Sequence, residues 1–364
     1  MKKIAFFVGS MSKGGTERVV LNLAKYFWMR GIEVLVVTAW QNQNEYELPK
    51  GIRRYNAALT KEEWTRNKIK NALLRNKKRN KVIEEFAPDI LVSFIKENNF
   101  KAILTGRKCH VPVVVSVRSD PKAEYPKAFD RFLVNRLFMK ADGIVLQTEA
   151  MREFFKKSLQ EKTVILPNSI NPAFIRNSFP DVRRKEIVMV GRLDENKNQK
   201  LLIDVFAELA GKYRDWNLVL YGEGSCRKKL EQAVEDYQLK DRVRLPGSVP
   251  DIQDRIADSA VFVLTSGFEG MPNALIEAMA LGLAVISTDC AGGGPREIIK
   301  DGENGYLIPV GDKDALRERL SLLMEEEPLR NRLGRNAAEI AGKLHPDTVN
   351  EQWMQYLSSI CEKE

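Results

Sequence analysis

The chain has 364 residues, 44% of them hydrophobic and 29% charged, with 23 Gly and 15 Pro. At roughly 100–200 residues per domain this is two or three globular domains, and the composition excludes a disordered, collagen-like or disulfide-stapled chain. The net charge of +9 is unevenly held: residues 1–180 carry 33 Lys and Arg against 17 Asp and Glu (net +16), and residues 181–364 carry 25 against 32 (net −7).

Residues 4–8 form an apolar run that ends at Gly9, too short for the core of a signal peptide and better read as a buried first strand. Val19, Val20, Leu23, Ala24 and Phe27 follow at helical spacing, and Gly31 closes that helix. Strand-like runs come next at 33–38, 90–94, 113–117, 143–147 and 164–166. A loop rich in Pro, Asn and Ser spans 167–180, after which the pattern restarts. Strands are expected at 187–190, 218–221, 243–245, 261–264, 284–287 and 306–308, and a helix at 348–361. Buried apolar strands alternating with helices give parallel sheets covered on both faces, so the chain reads as two doubly wound α/β domains.

No apolar run approaches the ~20 residues of a membrane-spanning helix. Cys109, Cys226, Cys290 and Cys361 lie far apart without Cys-x-x-Cys spacing, and His110 and His345 are the only histidines. This pattern argues for a reducing compartment and against a zinc site or a multi-histidine mechanism. The expected location is the cytoplasm. The basic front half calls for an anionic partner: nucleic acid, a membrane surface or a phosphorylated ligand. Its densest stretch opens at Lys61 and closes at Lys81, with Arg66, Lys68, Lys70, Arg75, Lys77, Lys78 and Arg79 among Trp64, Ile69, Leu73 and Leu74. This fits a basic amphipathic helix on the anionic inner face of the cell membrane; a solvated helix face has the same composition. No nucleic-acid reader motif is present, and no nucleic-acid partner is expected.

In open α/β sheets ligands bind beyond the carboxyl ends of the strands, so the strand-to-helix loops should hold the chemistry. The first, residues 9–18, nearly matches a P-loop but has Gly15 where the lysine belongs; Gly14 and Gly15 instead let the backbone approach a phosphate or sugar at a helix start. The second, 190–198, offers Arg192 and Lys197, a forked donor and a point charge suited to a diphosphate. The third, 266–280, places Glu269 in a loop and Glu277 within a helix whose first position is expected to be Pro272. Amides near Asn273, Ala274 and Leu275 lie between the two carboxylates. A fourth loop, 290–297, again pairs glycines with a helix start.

Taken together, Gly-Gly-Thr-Glu-Arg after the first strand, Gly-Arg-Leu-x-x-x-Lys, Glu-x7-Glu and Gly-Pro-Arg-Glu-Ile-Ile are similar to the motifs of the family 4 retaining glycosyltransferases with the GT-B fold, in order and in register over essentially the whole chain. The resemblance implies two Rossmann-like domains facing each other across a cleft. Residues 1–170, with a returning C-terminal helix at about 346–364, would bind the acceptor, and 171–345 the nucleotide sugar. It implies that Arg192 and Lys197 bind the donor diphosphate and stabilise the departing nucleotide, without a metal or a further cofactor. It sets Glu269, Gly270, Met271, Asn273, Ala274 and Leu275 against the donor sugar and Glu277 at the ribose. Gly14 and Gly15 would lie beside the diphosphate or sugar, and Leu245, Pro246 and Val249 beside the base. Members of the family often carry a histidine after the fourth strand of the first domain. Here Arg118 stands at that position, which implies Arg118 and Asp120 as sugar- or acceptor-facing groups; Asp120 also reads as a turn former before Pro121. The Asp312-Lys313-Asp314 triplet opens a helix and reads as a cap. The implied reaction moves a hexose or N-acetylhexosamine from a UDP-sugar to a lipid-linked or polysaccharide acceptor, by front-face displacement. The alternative is a nucleotide-sugar isomerase of the UDP-N-acetylglucosamine 2-epimerase type, which would need acid–base groups around the sugar ring; a non-catalytic sugar-nucleotide binder is a more distant one.

Overall fold

The computed structural model describes residues 1–12, 14–180 and 182–362; Lys13 of the first glycine loop and the last two residues of the expected 346–364 segment lie outside them. The chain divides into two compact units, Met1–Ser169 together with the chain from Asp347 onward, and Ile170–Pro346.

Unit 1 is built on strands β1 (Lys3–Val8), β2 (Glu33–Thr38), β3 (Arg53–Asn56), β4 (Ile90–Phe94), β5 (Val113–Ser116), β6 (Gly143–Leu146) and β7 (Thr163–Ile165), in the order β3-β2-β1-β4-β5-β6-β7. Every pairing is parallel, for example Ile4 with Val34 on one side and with Ile90 on the other. Alternate residues go to opposite faces. Ala5, Phe7, Leu35, Leu91 and Val115 share a core with Ile83 and Phe86 of the Lys68–Phe86 helix, Ala102 and Ile103 of the Lys96–Cys109 helix, and Val134 of the Ala128–Leu137 helix. On the other face Phe6 meets Phe27 of the Gly15–Met29 helix at 6.2 Å between ring centroids, and Phe94 meets Trp353 of the Pro346–Cys361 helix at 5.9 Å.

The one strand not expected is β3. Its residues Arg-Arg-Tyr-Asn hold the edge of the sheet by backbone pairing with β2 while their side chains stay exposed or half-buried, so no apolar run announces it. The basic stretch is also corrected: its helix starts at Lys68, where the Asn67 side chain accepts from the amides of Ile69 and Lys70 at 3.0 and 3.1 Å, and residues 61–67 are not helical. Two of its nine cations turn inward. Lys78 donates to Glu63 and to the Ala58 carbonyl, and Arg79 is buried with its guanidinium on Asn76.

Unit 2 holds β8 (Arg184–Val190), β9 (Asn217–Tyr221), β10 (Val243–Gly247), β11 (Ser259–Leu264), β12 (Ala284–Thr288) and β13 (Tyr306–Ile308), in the order β10-β9-β8-β11-β12-β13 and all parallel. Pro246 is tolerated within β10 because that strand is an edge. Among the described residues no helix is long and apolar enough to cross a membrane.

Candidate functional site

The strand order of unit 2 reverses between β8 and β11, since the chain leaves β8 toward β9 on one side and β11 toward β12 on the other. Their carboxyl ends therefore open a crevice at the switch point, where doubly wound sheets bind ligands. The loops that leave these two strands contain Lys197 and Glu269, and the structure brings them together. Lys197 Nζ donates to Glu269 Oε1, and both side chains are largely buried, 15% and 13% exposed.

Neighbouring backbone holds this pair in place. Asn196 fastens one loop to the other: its Nδ2 donates to the Phe268 carbonyl at 3.1 Å, its Oδ1 accepts from the Phe268 amide at 3.0 Å, and its carbonyl accepts from the Gly267 amide at 2.8 Å. The Thr265 hydroxyl lies 2.8 Å from the Lys197 carbonyl, and Asp194 Oδ1 accepts from the Lys197 amide at 3.0 Å. The Glu269 amide donates to the Ala291 carbonyl at 2.9 Å, which ties in the fourth loop. Gly294 in that loop lies so close to the Gly270 carbonyl that a Cβ there would sit 1.6 Å from its oxygen. Burial, and then the charge of Glu269, push the nearby Cys290 thiol up to about 12. Arg192, by contrast, extends into solvent with its side chain 81% exposed and Asp194 3.4 Å away.

Glu277 is buried in the Asn273–Ala280 helix, and Gly270 and Met271 are buried in the loop before it. Pro272 stands one residue earlier than expected. It is the N-cap, because its ψ of 107° is extended and the helix begins at Asn273. The Leu275 amide is taken by the Pro272 carbonyl at 3.1 Å, so the first-turn amides of Asn273 and Ala274 are the ones a helix leaves without an intrahelical acceptor. At β10, the Leu245 carbonyl accepts from Arg227 at 2.7 Å; Pro246 is exposed and Val249 half-buried.

In unit 1, Gly14 is the N-cap and Gly15 the first residue of the helix after β1. The Glu17 carboxylate folds back to within 2.4 Å of where a Gly14 Cβ would stand, and burial raises its pKa. Arg118 is half-buried. Its guanidinium lies 5.9 Å from the Phe94 ring centroid and bonds Asn168, and burial pushes it down to about 9. Asp120 is buried and caps the Pro121–Glu124 helix, accepting from the Lys122 amide at 3.2 Å. Beside them stands Glu124, which the sequence did not single out. Burial pushes its carboxyl up to about 7, against hydrogen bonds from Tyr125 and the Lys96 and Arg118 amides. Asp312 is a helix cap, accepting from the Ala315 amide at 2.9 Å.

The family model "Glycosyltransferase Family 4" matches residues 13–174, and "Glycosyl transferases group 1" matches residues 171–340. Two Campylobacter jejuni proteins are similar along the whole chain. The N-acetylgalactosamine-N,N'-diacetylbacillosaminyl-diphospho-undecaprenol 4-alpha-N-acetylgalactosaminyltransferase is 28% identical over 98% of this chain and 100% of its own. The GalNAc-alpha-(1->4)-GalNAc-alpha-(1->3)-diNAcBac-PP-undecaprenol alpha-1,4-N-acetyl-D-galactosaminyltransferase is 24% identical over 99% of each. Among solved structures, Anabaena HepE in complex with UDP and glucose superposes with a TM-score of 0.84 at 20% identity, over 99% of this chain and 100% of that one. Sucrose-phosphate synthase from Thermosynechococcus elongatus gives 0.83 at 18%, over all of both chains. With both units matched in order and the strand topology of each in hand, the chain belongs to the family 4 glycosyltransferases and has their GT-B fold.

Proposed function

We propose that this glycosyltransferase is a metal-independent, retaining enzyme that transfers a hexose or N-acetylhexosamine from a UDP-sugar to a lipid-linked or polysaccharide acceptor. The observation that carries the reading is the Lys197–Glu269 pair, set rigidly at the point where the strand order of unit 2 reverses. A fixed ammonium there meets the negative charge that grows on the leaving diphosphate as the glycosidic bond breaks. Arg192, on a solvent-exposed stem, can reach the same phosphates with its forked donors. The first-turn amides of Asn273 and Ala274 add dipoles of the right sign.

In this reading Glu269 has two tasks: it orients Lys197 and accepts from donor-sugar hydroxyls. Glu277 holds the ribose, Gly14 and Gly15 leave the backbone bare for a phosphate or sugar, and Arg118 with Asp120 shapes the acceptor side from within. The sugar C1–O bond to phosphate breaks as C1 bonds the acceptor oxygen, and the acceptor proton passes to the leaving phosphate oxygen, on one face of the sugar ring. The undecaprenyl-diphosphate saccharides in the names of the two Campylobacter relatives, and UDP with glucose in the HepE structure, support this substrate class. Stretch 61–81 supports attachment to an anionic inner membrane face: Lys61, Arg66, Lys68, Lys70, Arg75, Lys77 and Lys81 are exposed beside Trp64, Ile69 and Leu73.

Neither the family models nor these relatives favour the isomerase. Incubation with labelled UDP-, GDP- and ADP-sugars and a lipid extract tests the reading. Label from the UDP-sugar should partition into organic solvent, at a rate indifferent to chelator. A new free nucleotide sugar in its place would establish the isomerase instead.

A further inference from the structure

The Ala128–Leu137 helix leaves two benzyl rings in water, Phe129 at 67% and Phe132 at 56% exposure. Three residues apart, they project from one side of the helix, while Asp130 and Val134 are buried on the other. Met139, in the turn that follows, is 42% exposed. Around these apolar groups Lys122, Lys127, Arg131, Arg136 and Lys140 are all exposed. The acids of the same stretch are drawn inward: Asp130 pairs with Lys96 at 2.6 Å, and Glu124 is half-buried with its Oε1 enclosed. Within residues 122–140 every exposed residue is thus apolar or cationic, and neither acid of the segment is in the exposed class.

This helix packs on the same sheet face as the Lys68–Phe86 helix, since Val134, Ile83 and Phe86 belong to one core. Two exposed apolar and basic surfaces thus share one side of unit 1.

The geometry points to Phe129 and Phe132 as a second membrane anchor, inserted among anionic lipid headgroups with Lys127, Arg131 and Arg136 at the phosphates. A bilayer fits both halves of the surface, because rings at the headgroup level bury apolar area while arginine and lysine remain solvated by lipid phosphate. A symmetric dimer fits poorly, since an isologous contact would set these cations against one another. The inference rests on the membrane attachment proposed above and adds an independent point of contact to it.

The test is co-sedimentation of the full chain with vesicles of phosphatidylcholine, alone or mixed equally with phosphatidylglycerol. Phe129→Ser with Phe132→Ser, and separately Arg131→Glu with Arg136→Glu, should each lower partitioning into the anionic vesicles by ~10-fold or more. UDP affinity should be retained, and the loss should be separate from that of Trp64→Ser with Leu73→Ser. The charge-reversal pair alters exposed side chains only, so it keeps the test decisive if the serine variant misfolds. Unchanged partitioning in both 128–137 variants, with loss in the Trp64 and Leu73 variant, overturns the second anchor and leaves the first standing. Failure of the parent chain to prefer anionic vesicles overturns both. Self-association that depends on Phe129 and Phe132, without vesicle binding, assigns the surface to a second copy and also overturns the proposal.

Discussion

Lys197 and Glu269 stabilise each other, so their contributions to stability and to turnover can be separated. Removing Lys197 alone strands a mostly buried carboxylate, which costs about 3 kcal/mol, the lower end for such a pair. Lys197→Met together with Glu269→Gln should recover most of that loss in a urea titration. Turnover should stay down by ~10²-fold or more in both variants, because the ammonium proposed to meet the leaving phosphate is gone. Glu124 gives a pH signature. Its folded pKa of about 7 lies above the ordinary 4.5, so the folded chain holds the proton longer. Stability is then full below pH 4.5 and falls as the pH rises toward 7. Glu124→Gln should flatten the urea midpoint across that window, and a midpoint that still falls would remove Glu124 as its source. Lys197 and Glu269 were legible from sequence because each follows an apolar strand and a glycine. Asn196, Glu124 and Cys290 were not, since their roles arise from contacts between loops far apart in the chain.

In the fourth loop of unit 2, Gly292 and Gly293 make the turn with φ of 90° and 75°, and Gly294 gives proximity. Gly294→Ala would press a methyl group into the Gly270 carbonyl and the Met271 Cα, which are backbone and cannot swing aside as a side chain would. A loss of ~2 kcal/mol or more is expected, as for overpacking that displaces backbone, and calorimetry should show it together with weakened UDP affinity. Strands read well wherever both faces are covered, as in Val-Phe-Val-Leu of β11, because burial forces an unbroken apolar run. They read poorly where one edge is free, as in the polar β3. The start of the Lys68–Phe86 helix was missed because basic residues continue through the turn before Asn67, and charge carries no period.

At the scale of the whole molecule, the C-terminal helix belongs to the unit that begins the chain. Trp353 is fully buried beside Phe94, the Tyr26 hydroxyl donates to Glu351 at 2.6 Å, and Gly143 leaves room for the Tyr356 ring. Truncation after Pro346 should leave unit 2 with a cooperative thermal transition and cost unit 1 its own. Trp353→Ala should lower the stability of unit 1 by about 3–5 kcal/mol. Two doubly wound domains were legible because twelve apolar strands repeat in two series, whereas which side chains the last helix covers lies in pairings the sequence does not print.

That returning helix also sets an order of events during synthesis. Domains generally form as they leave the ribosome, earliest part first. Here the opening 169 residues emerge long before Trp353 can cover Phe94, so the N-terminal body waits with an aromatic face uncovered while the contiguous second body, 170–346, is translated and can close ahead of it. The part made first is finished last, and a chaperone that shields nascent chains would find its client surface around Phe94, Tyr26 and Gly143.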